Sequence, residues 1–296
     1  MNESDSMVFA VYGSRRQHKN IENINRLFTL LSKRGVRLII HSKLYWHLRE
    51  LLGTEENNWN LYSVTDGDSF RADLALSIGG DGTFLRTARW VAGKNMPIAG
   101  INAGHLGFLT SFDIENVDGF VNDLFNRRFR IESRTKIEVS FPDEPDRQPE
   151  DALNEIVAIK GDTASMITVN AELDGAALAS YLADGLIIST ATGSTGYNLS
   201  VGGPVLQPLT PSFVITPIAA HSLTMRPLVV ADSSVINLEI TSRADSFLLC
   251  LDGRYSHLAN GTRLVLRKSG KCVKILLPEK ENFAAKIREK LLWGVR

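Results

Sequence analysis

An α/β domain followed by a β-rich one is the architecture this sequence predicts, and three observations carry the prediction. Up to about residue 130, apolar runs alternate with helical patterns. Beyond that point the runs become short, rich in Val, Ile, Leu and Thr, and punctuated by Gly, Pro, Asp and Asn. A last amphipathic stretch follows them. Strand–helix alternation implies a mostly parallel, doubly wound (Rossmann-like) sheet, whereas closely spaced strands with little helix imply a largely antiparallel, sandwich-like domain. The expected divisions are 1–130 for the α/β domain, 131–277 for the β-rich domain, and 278–296 for a terminal helix docking on one of them.

The elements follow in order. MVFAVYG is an apolar strand ending in Gly, and its Met7 is a second candidate start of the chain. Ile21, Ile24, Leu27, Phe28 and Leu31 recur at three- and four-residue spacing, which predicts a helix that Gly35 ends. VRLIIHS is the second strand, LYWHLRELLG a helix, DLALSI a buried strand, TFLRTARWVAG a helix and PIAGIN another strand. IENVDGFVNDLFN is a further helix. The strands of the second half are KIEVSF, ALNEIVAIK, MITVNAELDG, LIIST, SFVITPI, SVINLEI, SFLLCLDG and TRLVLRK. PDEPDRQPED is a surface loop. EKENFAAKIREKLLW places Phe283, Ile287 and Leu291 on one helical face.

Composition narrows the function classes. The chain has 296 residues, 44% of them hydrophobic and 22% charged, as ordinary globular proteins do. Lys+Arg and Asp+Glu both number 33, which speaks against wholesale binding to nucleic acid or anionic membrane. Cys250 and Cys272 form no CxxC pair and no zinc pattern, so reduced thiols in a cytosolic protein are expected. The N-terminal MNESDSMVFA is acidic and polar, unlike a signal peptide. No run reaches the length of about 18 apolar residues that a membrane span needs.

Three Gly-rich loops carry the chemistry. In SIGGDGTFLRTAR, at 77–89, Asp81 sits among Gly79, Gly80 and Gly82, with Thr83 and Arg86 following. The loop ends a strand and opens a helix, where N–H groups and the positive end of the helix dipole converge on an anion. It is neither a Walker A loop nor a dinucleotide fingerprint. Asp81 either caps the helix beginning near Thr83, or acts beside a phosphate as a Mg²⁺ ligand or proton acceptor. In GINAGHLGFLT, Asn102, Gly104 and Gly107 can bring backbone to a ligand while Leu106 and Phe108 anchor the loop, and His105 reads as a loop residue. In DGLIISTATGSTGYNLSVGGP, Thr190, Thr192, Ser194, Thr195, Tyr197 and Ser200 surround Gly193, Gly196 and Asn198. Such hydroxyls suit a phosphorylated, multiply hydroxylated ligand, or they solvate only their own turn. LNEIV places Asn154 and Glu155 mid-strand, so that at most one need face a given cleft, or else both lie on an exposed edge. No metal-ligand cluster is recognisable.

Taken together, GGDGTFLR, GINAGHLGFL, LNE, DGLIISTATGSTGYNLSVGGP and PIAAHSLTMRPLVV resemble the NAD kinase family in order and spacing, over nearly the whole chain. The resemblance implies transfer of the γ-phosphoryl of ATP to the 2′-hydroxyl of the adenosine ribose of NAD. It implies an α/β domain and a β-rich domain with NAD in the cleft between them. By the matching motifs Asp81 would be the general base, and Gly79, Gly80, Gly82, Thr83 and Arg86 would meet nucleotide phosphate. Asn154 and Glu155 would hold the ribose and adenine end, and Asp184 would meet the nicotinamide end. Thr192, Ser194, Thr195, Gly196, Tyr197, Asn198, Leu199 and Ser200 would line the dinucleotide. Mg²⁺ or another divalent cation would accompany ATP, with no protein-derived metal site. A cytoplasmic homodimer or homotetramer is expected, binding neither nucleic acid nor membrane. The sequence departs from the common pattern at Gly196, Ser165, Leu182 and Arg254. The rival readings are a lipid kinase of the same superfamily and a nucleotide sensor without catalysis. The first would want an exposed apolar or basic face, and the second should have lost Asp81.

Overall fold

The structure, a computed structural model, describes residues 6–14, 18–52, 62–67, 69–104, 107–161 and 165–294. The chain divides into two compact units. One comprises Met1–Ser133 together with Val273–Arg296, and the other Arg134–Cys272.

The first unit contains β1 (Val8–Gly13), α1 (Ile21–Lys33), β2 (Arg37–His41), α2 (Ser42–Leu52), β3 (Ser63–Thr65) and β4 (Leu74–Ile78). It continues through α3 (Asp81–Trp90), β5 (Ile98–Asn102), β6 (Phe112–Asp113) and α4 (Val117–Phe125). Its strands pair in parallel in the order β5-β4-β1-β2-β3, with β6 beside β5. Alternate residues of β1 serve opposite faces, as strand geometry requires. Phe9 and Val11 join a core with Ile24, Leu27, Phe28 and Leu31 of α1 and Leu44 and Leu48 of α2. Tyr12 points the other way and packs on Trp90 of α3. Helices therefore cover both faces, and the doubly wound expectation holds. Gly35 ends α1 as its sequence position predicts. Its φ is +78°, and the Gly35 and Val36 N–H groups close on the Ser32 and Leu31 carbonyls.

The second unit is all β apart from single turns. Its elements are β7 (Phe129–Ser140), which starts in the first unit, β8 (Glu150–Ala152), β9 (Glu155–Lys160), β10 (Ile167–Leu173), β11 (Ala176–Ala183) and β12 (Gly185–Thr190). After the helical turn α5 (Tyr197–Ser200) come β13 (Ser212–Ile218), β14 (Leu228–Ala231), β15 (Ile236–Ser242), β16 (Ser246–Leu251) and β17 (Arg254–Ala259). One antiparallel sheet runs β14-β13-β12-β9-β16-β17. In the other, β10 lies between β11 and β15, and β15 pairs with β18 (Arg263–Pro278). Inward residues of both sheets, among them Ile156, Ile188, Phe213 and Phe247 from one and Val169, Ile240 and Leu266 from the other, share a single core. This is the expected sandwich.

The pattern of apolar residues did not predict β11 and β17. AALASYLA and RYSHLA have weak strand propensity, and two-residue turns decide them instead. Asp174-Gly175 and Asp252-Gly253 all have positive φ, between +47° and +82°, as tight hairpin turns demand. The long β18 begins in the second unit, and its last residues pair in parallel with β5 of the first, Ile275 opposite Ile98. The terminal helix α6 (Phe283–Leu291) follows, with Asn282 accepting from the Ala284 N–H as its cap. Ile287 is buried on the expected face. The adjoining Lys286 is also buried, which the apolar pattern did not predict.

Candidate functional site

In the first unit the site is the turn from β4 into α3. Gly79 has φ +151°, a conformation that L side chains rarely adopt, and a Cβ there would press on the Thr83 side chain. Gly80 is the N-cap, with its carbonyl accepting from the Thr83 and Phe84 N–H groups. Gly80, Gly82 and Arg86 are exposed, and Thr83 is buried, its hydroxyl accepting from Arg86 Nη2 at 3.1 Å.

Asp81 does not cap the helix. It is the first residue of α3, and its carboxylate reaches across to the second Gly-rich loop. There Phe108 N donates to Oδ2 (2.7 Å) and Leu109 N to Oδ1 (3.0 Å), with the Thr110 hydroxyl at 3.5 Å. The second loop was expected to bring backbone to a ligand; at Gly107 it brings backbone to Asp81. A Cβ at Gly107 would overlap Asp81 Oδ1, so no larger residue fits unless the carboxylate moves. His105 and Leu106 lie outside the described residues. Asn102 Nδ2 bonds the Gly104 carbonyl, and among the described residues its Oδ1 is buried without a partner.

In the second unit Asn154 and Glu155 correct the sequence reading twice. Asn154 lies just before β9 rather than within it, and β9 is flanked by β12 and β16 rather than being an edge. Strand alternation therefore does not separate the two side chains. A Cβ at Gly196 would meet both, Glu155 Oε2 at 2.8 Å and Asn154 Nδ2 at 3.3 Å. Asp252 fixes this turn by accepting from the Leu153, Asn154 and Glu155 N–H groups at 2.6, 2.8 and 3.2 Å. That residue was missed from sequence, where its Asp-Gly pair signals only a turn. Among the described residues Asn154 Oδ1 and Glu155 Oε2 are buried without hydrogen-bond partners.

Electrostatics separate the two carboxyls. Burial, with the Asp252 charge adding to it, pushes Glu155 up to about 8. Burial raises Asp252 as well, but its three backbone donors and Lys136 oppose the rise. The proton therefore belongs on Glu155.

The third loop divides its residues between scaffold and surface. Ser194 and Asn198 are fully buried and occupied. Ser194 Oγ donates to the Ala191 carbonyl and accepts from Leu206 N. Asn198 bonds the Ser194 and Pro204 carbonyls and accepts from the Thr216 hydroxyl. Thr192 is buried, Thr195 bonds the Thr192 carbonyl, and Leu199 is half-buried. Tyr197 and Ser200 are exposed. A Cβ at Gly193 would overlap the Asn154 carbonyl, so this glycine locks the loop onto the Asn154 turn. Asp184 pairs with Lys160 at 2.8 Å. Among the described residues no three His, Cys, Asp or Glu side chains are grouped to hold a metal ion.

Two family models match the chain. Residues 10–129 match the ATP-NAD kinase N-terminal domain and residues 153–276 the ATP-NAD kinase C-terminal domain. The NAD kinase of Bacteroides fragilis is 38% identical over 288 residues, covering 97% of this chain and 98% of its own. That of Porphyromonas gingivalis is 39% identical over 285 residues, covering 96% and 97%. An Archaeoglobus fulgidus NAD kinase solved with ATP aligns with TM-score 0.73 at 27% identity, over 95% of this chain and 99% of that one. Yeast NADH kinase solved with NADH aligns with TM-score 0.88 at 24% identity, over 99% and 90%, a likeness of fold.

Proposed function

The chain belongs to the ATP-NAD kinase family and is an NAD kinase, moving the γ-phosphoryl of ATP to the 2′-hydroxyl of the adenosine ribose of NAD; on that premise we propose that Asp81 is its general base. A ribose hydroxyl is a very weak acid and attacks phosphorus only as its proton leaves. Asp81 takes that proton while the 2′-oxygen bonds to the γ-phosphorus and the bond to the bridging oxygen breaks, releasing ADP. The observation that supports this role is the fixed orientation of the carboxylate, held by Phe108 and Leu109 N–H groups at the start of α3. Gly79, Gly80, Gly82, Thr83 and Arg86 border the same helix end, where the helix dipole and the Arg86 charge favour the triphosphate.

The β-rich unit supplies the groups that hold the dinucleotide. The unpartnered Asn154 Oδ1 and Glu155 Oε2 suit the hydroxyl and amine donors of an adenosine. Asp184 serves the nicotinamide end. Thr192, Thr195, Gly196, Tyr197, Leu199 and Ser200 line the ligand, while Ser194 and Asn198 act by shaping the loop. Among the described residues no group of three His, Cys, Asp or Glu side chains is placed to hold a metal ion. The divalent cation comes with ATP, on the triphosphate's own oxygens, as part of the substrate. Free Cys250 and Cys272 fit a reducing cytoplasm, and no helix of the described residues is long and apolar enough to cross a membrane. Exposed Leu182, Leu228 and Val229 on or beside β-rich edge strands offer an interface for a homo-oligomer.

The test incubates purified protein with NAD, ATP and Mg²⁺ and detects NADP with an NADP-specific dehydrogenase. Asp81→Asn should lower turnover by roughly a thousandfold, within the range of a lost general base, while NAD still binds. Normal turnover in that variant removes the base assignment. Absence of NADP from the unaltered protein, with NAD bound, would favour a sensor, and phosphorylation of diacylglycerol instead would favour a lipid kinase.

A further inference from the structure

Lys286, on α6, is buried to 7% exposure. Its ammonium donates to the Phe108 carbonyl at 3.0 Å, Ser111 Oγ at 2.9 Å and Glu281 Oε1 at 2.9 Å. Among the described residues Glu281 is the carboxylate paired with it, yet two of the three bonds go to the loop that holds Asp81. The Phe108 carbonyl and the Leu109 N–H belong to one peptide unit. That N–H is the one donating to Asp81 Oδ1. Cation, peptide dipole and carboxylate thus follow one another through hydrogen bonds. A polarised peptide is a stronger donor, and bonds in such a chain reinforce each other. Phe108 N–H, one residue earlier, holds the other carboxylate oxygen, so the loop's position sets both bonds. Burial lowers the ammonium of Lys290, one turn further along α6, and the nearby Asp81 charge partly opposes that.

We propose that Lys286 is a positioning residue for the kinase reaction: through the Phe108–Leu109 peptide it fixes the carboxylate of Asp81, so that α6 is a working part of the site. The inference rests on Asp81 being the base. Lys286 itself touches neither ribose nor phosphate, and its loss should therefore act on the chemical step rather than on binding.

The experiment measures kcat and KM of Lys286→Met, Lys286→Ala and Asp81→Asn beside the unaltered enzyme. Both Lys286 variants should lose kcat by about tenfold to a hundredfold, as displacing a reacting group by up to an ångström does, with KM for NAD and ATP within about twofold. Propylammonium added to Lys286→Ala should restore much of the loss, and 1-propanol, of similar size but uncharged, should not. Exposed Arg288 on the same helix is the control, and Arg288→Gln should keep wild-type kcat. If the single variants do not fold, Glu281→Leu with Lys286→Met removes the buried pair together and leaves no orphaned charge; its kcat should be equally low. Wild-type kcat in a folded Lys286 variant, or equal rescue by propanol, overturns the proposal while Asp81→Asn stays inactive. An active Asp81→Asn instead removes the base and the proposal with it.

Discussion

Glu155 is held by a backbone hydrogen bond from Tyr197, and its Oε2 is buried with no partner among the described residues. Folding raises this group from 4.5 to about 8, so between those values the native state holds a proton that the unfolded chain has released. Its contribution to stability is complete below the lower value and is lost as pH rises through the upper one. Ligand-free protein should therefore weaken across that window by up to about 1.4 kcal/mol per pH unit from this group. Glu155→Gln, neutral throughout, should flatten the profile, as urea midpoints at a series of pH values will read. A variant with the same slope as the unaltered protein would place the proton elsewhere. Burial, with the Asp252 charge adding to it, makes Glu155 the proton holder. Three backbone donors serve the Asp252 carboxylate, against one for Glu155.

Among the elements, two loops are interlocked by glycines whose missing Cβ atoms are the space a neighbour occupies. Gly193 gives way to the Asn154 carbonyl, and that carbonyl accepts from Thr190 N. Gly193→Ala should accordingly destabilise the protein by about 1–3 kcal/mol, the usual cost of forcing an extra carbon into a packed site. NAD affinity should fall in the same variant, because the Asn154 turn must shift. A thermal melt and an NAD titration decide it, and an unaltered result in both would mean that the loop yields without moving Asn154. Gly107 plays the corresponding part for Asp81 in the first unit.

For the whole molecule, the chain leaves the first unit at Ser133 and returns to it at Val273. The returning segment is built into that unit. Leu276 lies in its core, Ile275 pairs with Ile98, and Lys286 holds the loop at Phe108. A fragment of residues 1–133 should therefore lack a cooperative unfolding transition, whereas the same fragment with 273–296 attached by a flexible linker should regain one. Far-UV circular dichroism during urea titration distinguishes them. A cooperative transition in the short fragment would show that the returning segment is dispensable to the fold.

The alternation of strands and helices in the first half, the two kinds of sheet, the end of α1 at Gly35 and the Gly-rich loops at strand ends were legible in the sequence, whereas the short β3, β6 and β14 were not. Each legible feature follows from local periodicity or from the conformational demand of one residue. The strands β11 and β17 were not legible from apolar pattern, because hairpin turns impose them on weak strand formers. The partners of Asp81 were not legible either. They lie 27 and 28 positions away, and what selects them is the room left by Gly107. Asn154 and Glu155 could be named from their motif, but their shared direction comes from Asp252, about a hundred residues on, pulling Asn154 out of the strand. Nothing in the amphipathic pattern of the terminal helix marks Lys286 as buried. Only the return of the terminal segment buries it, because burying an ammonium requires acceptors that distant parts of the chain supply.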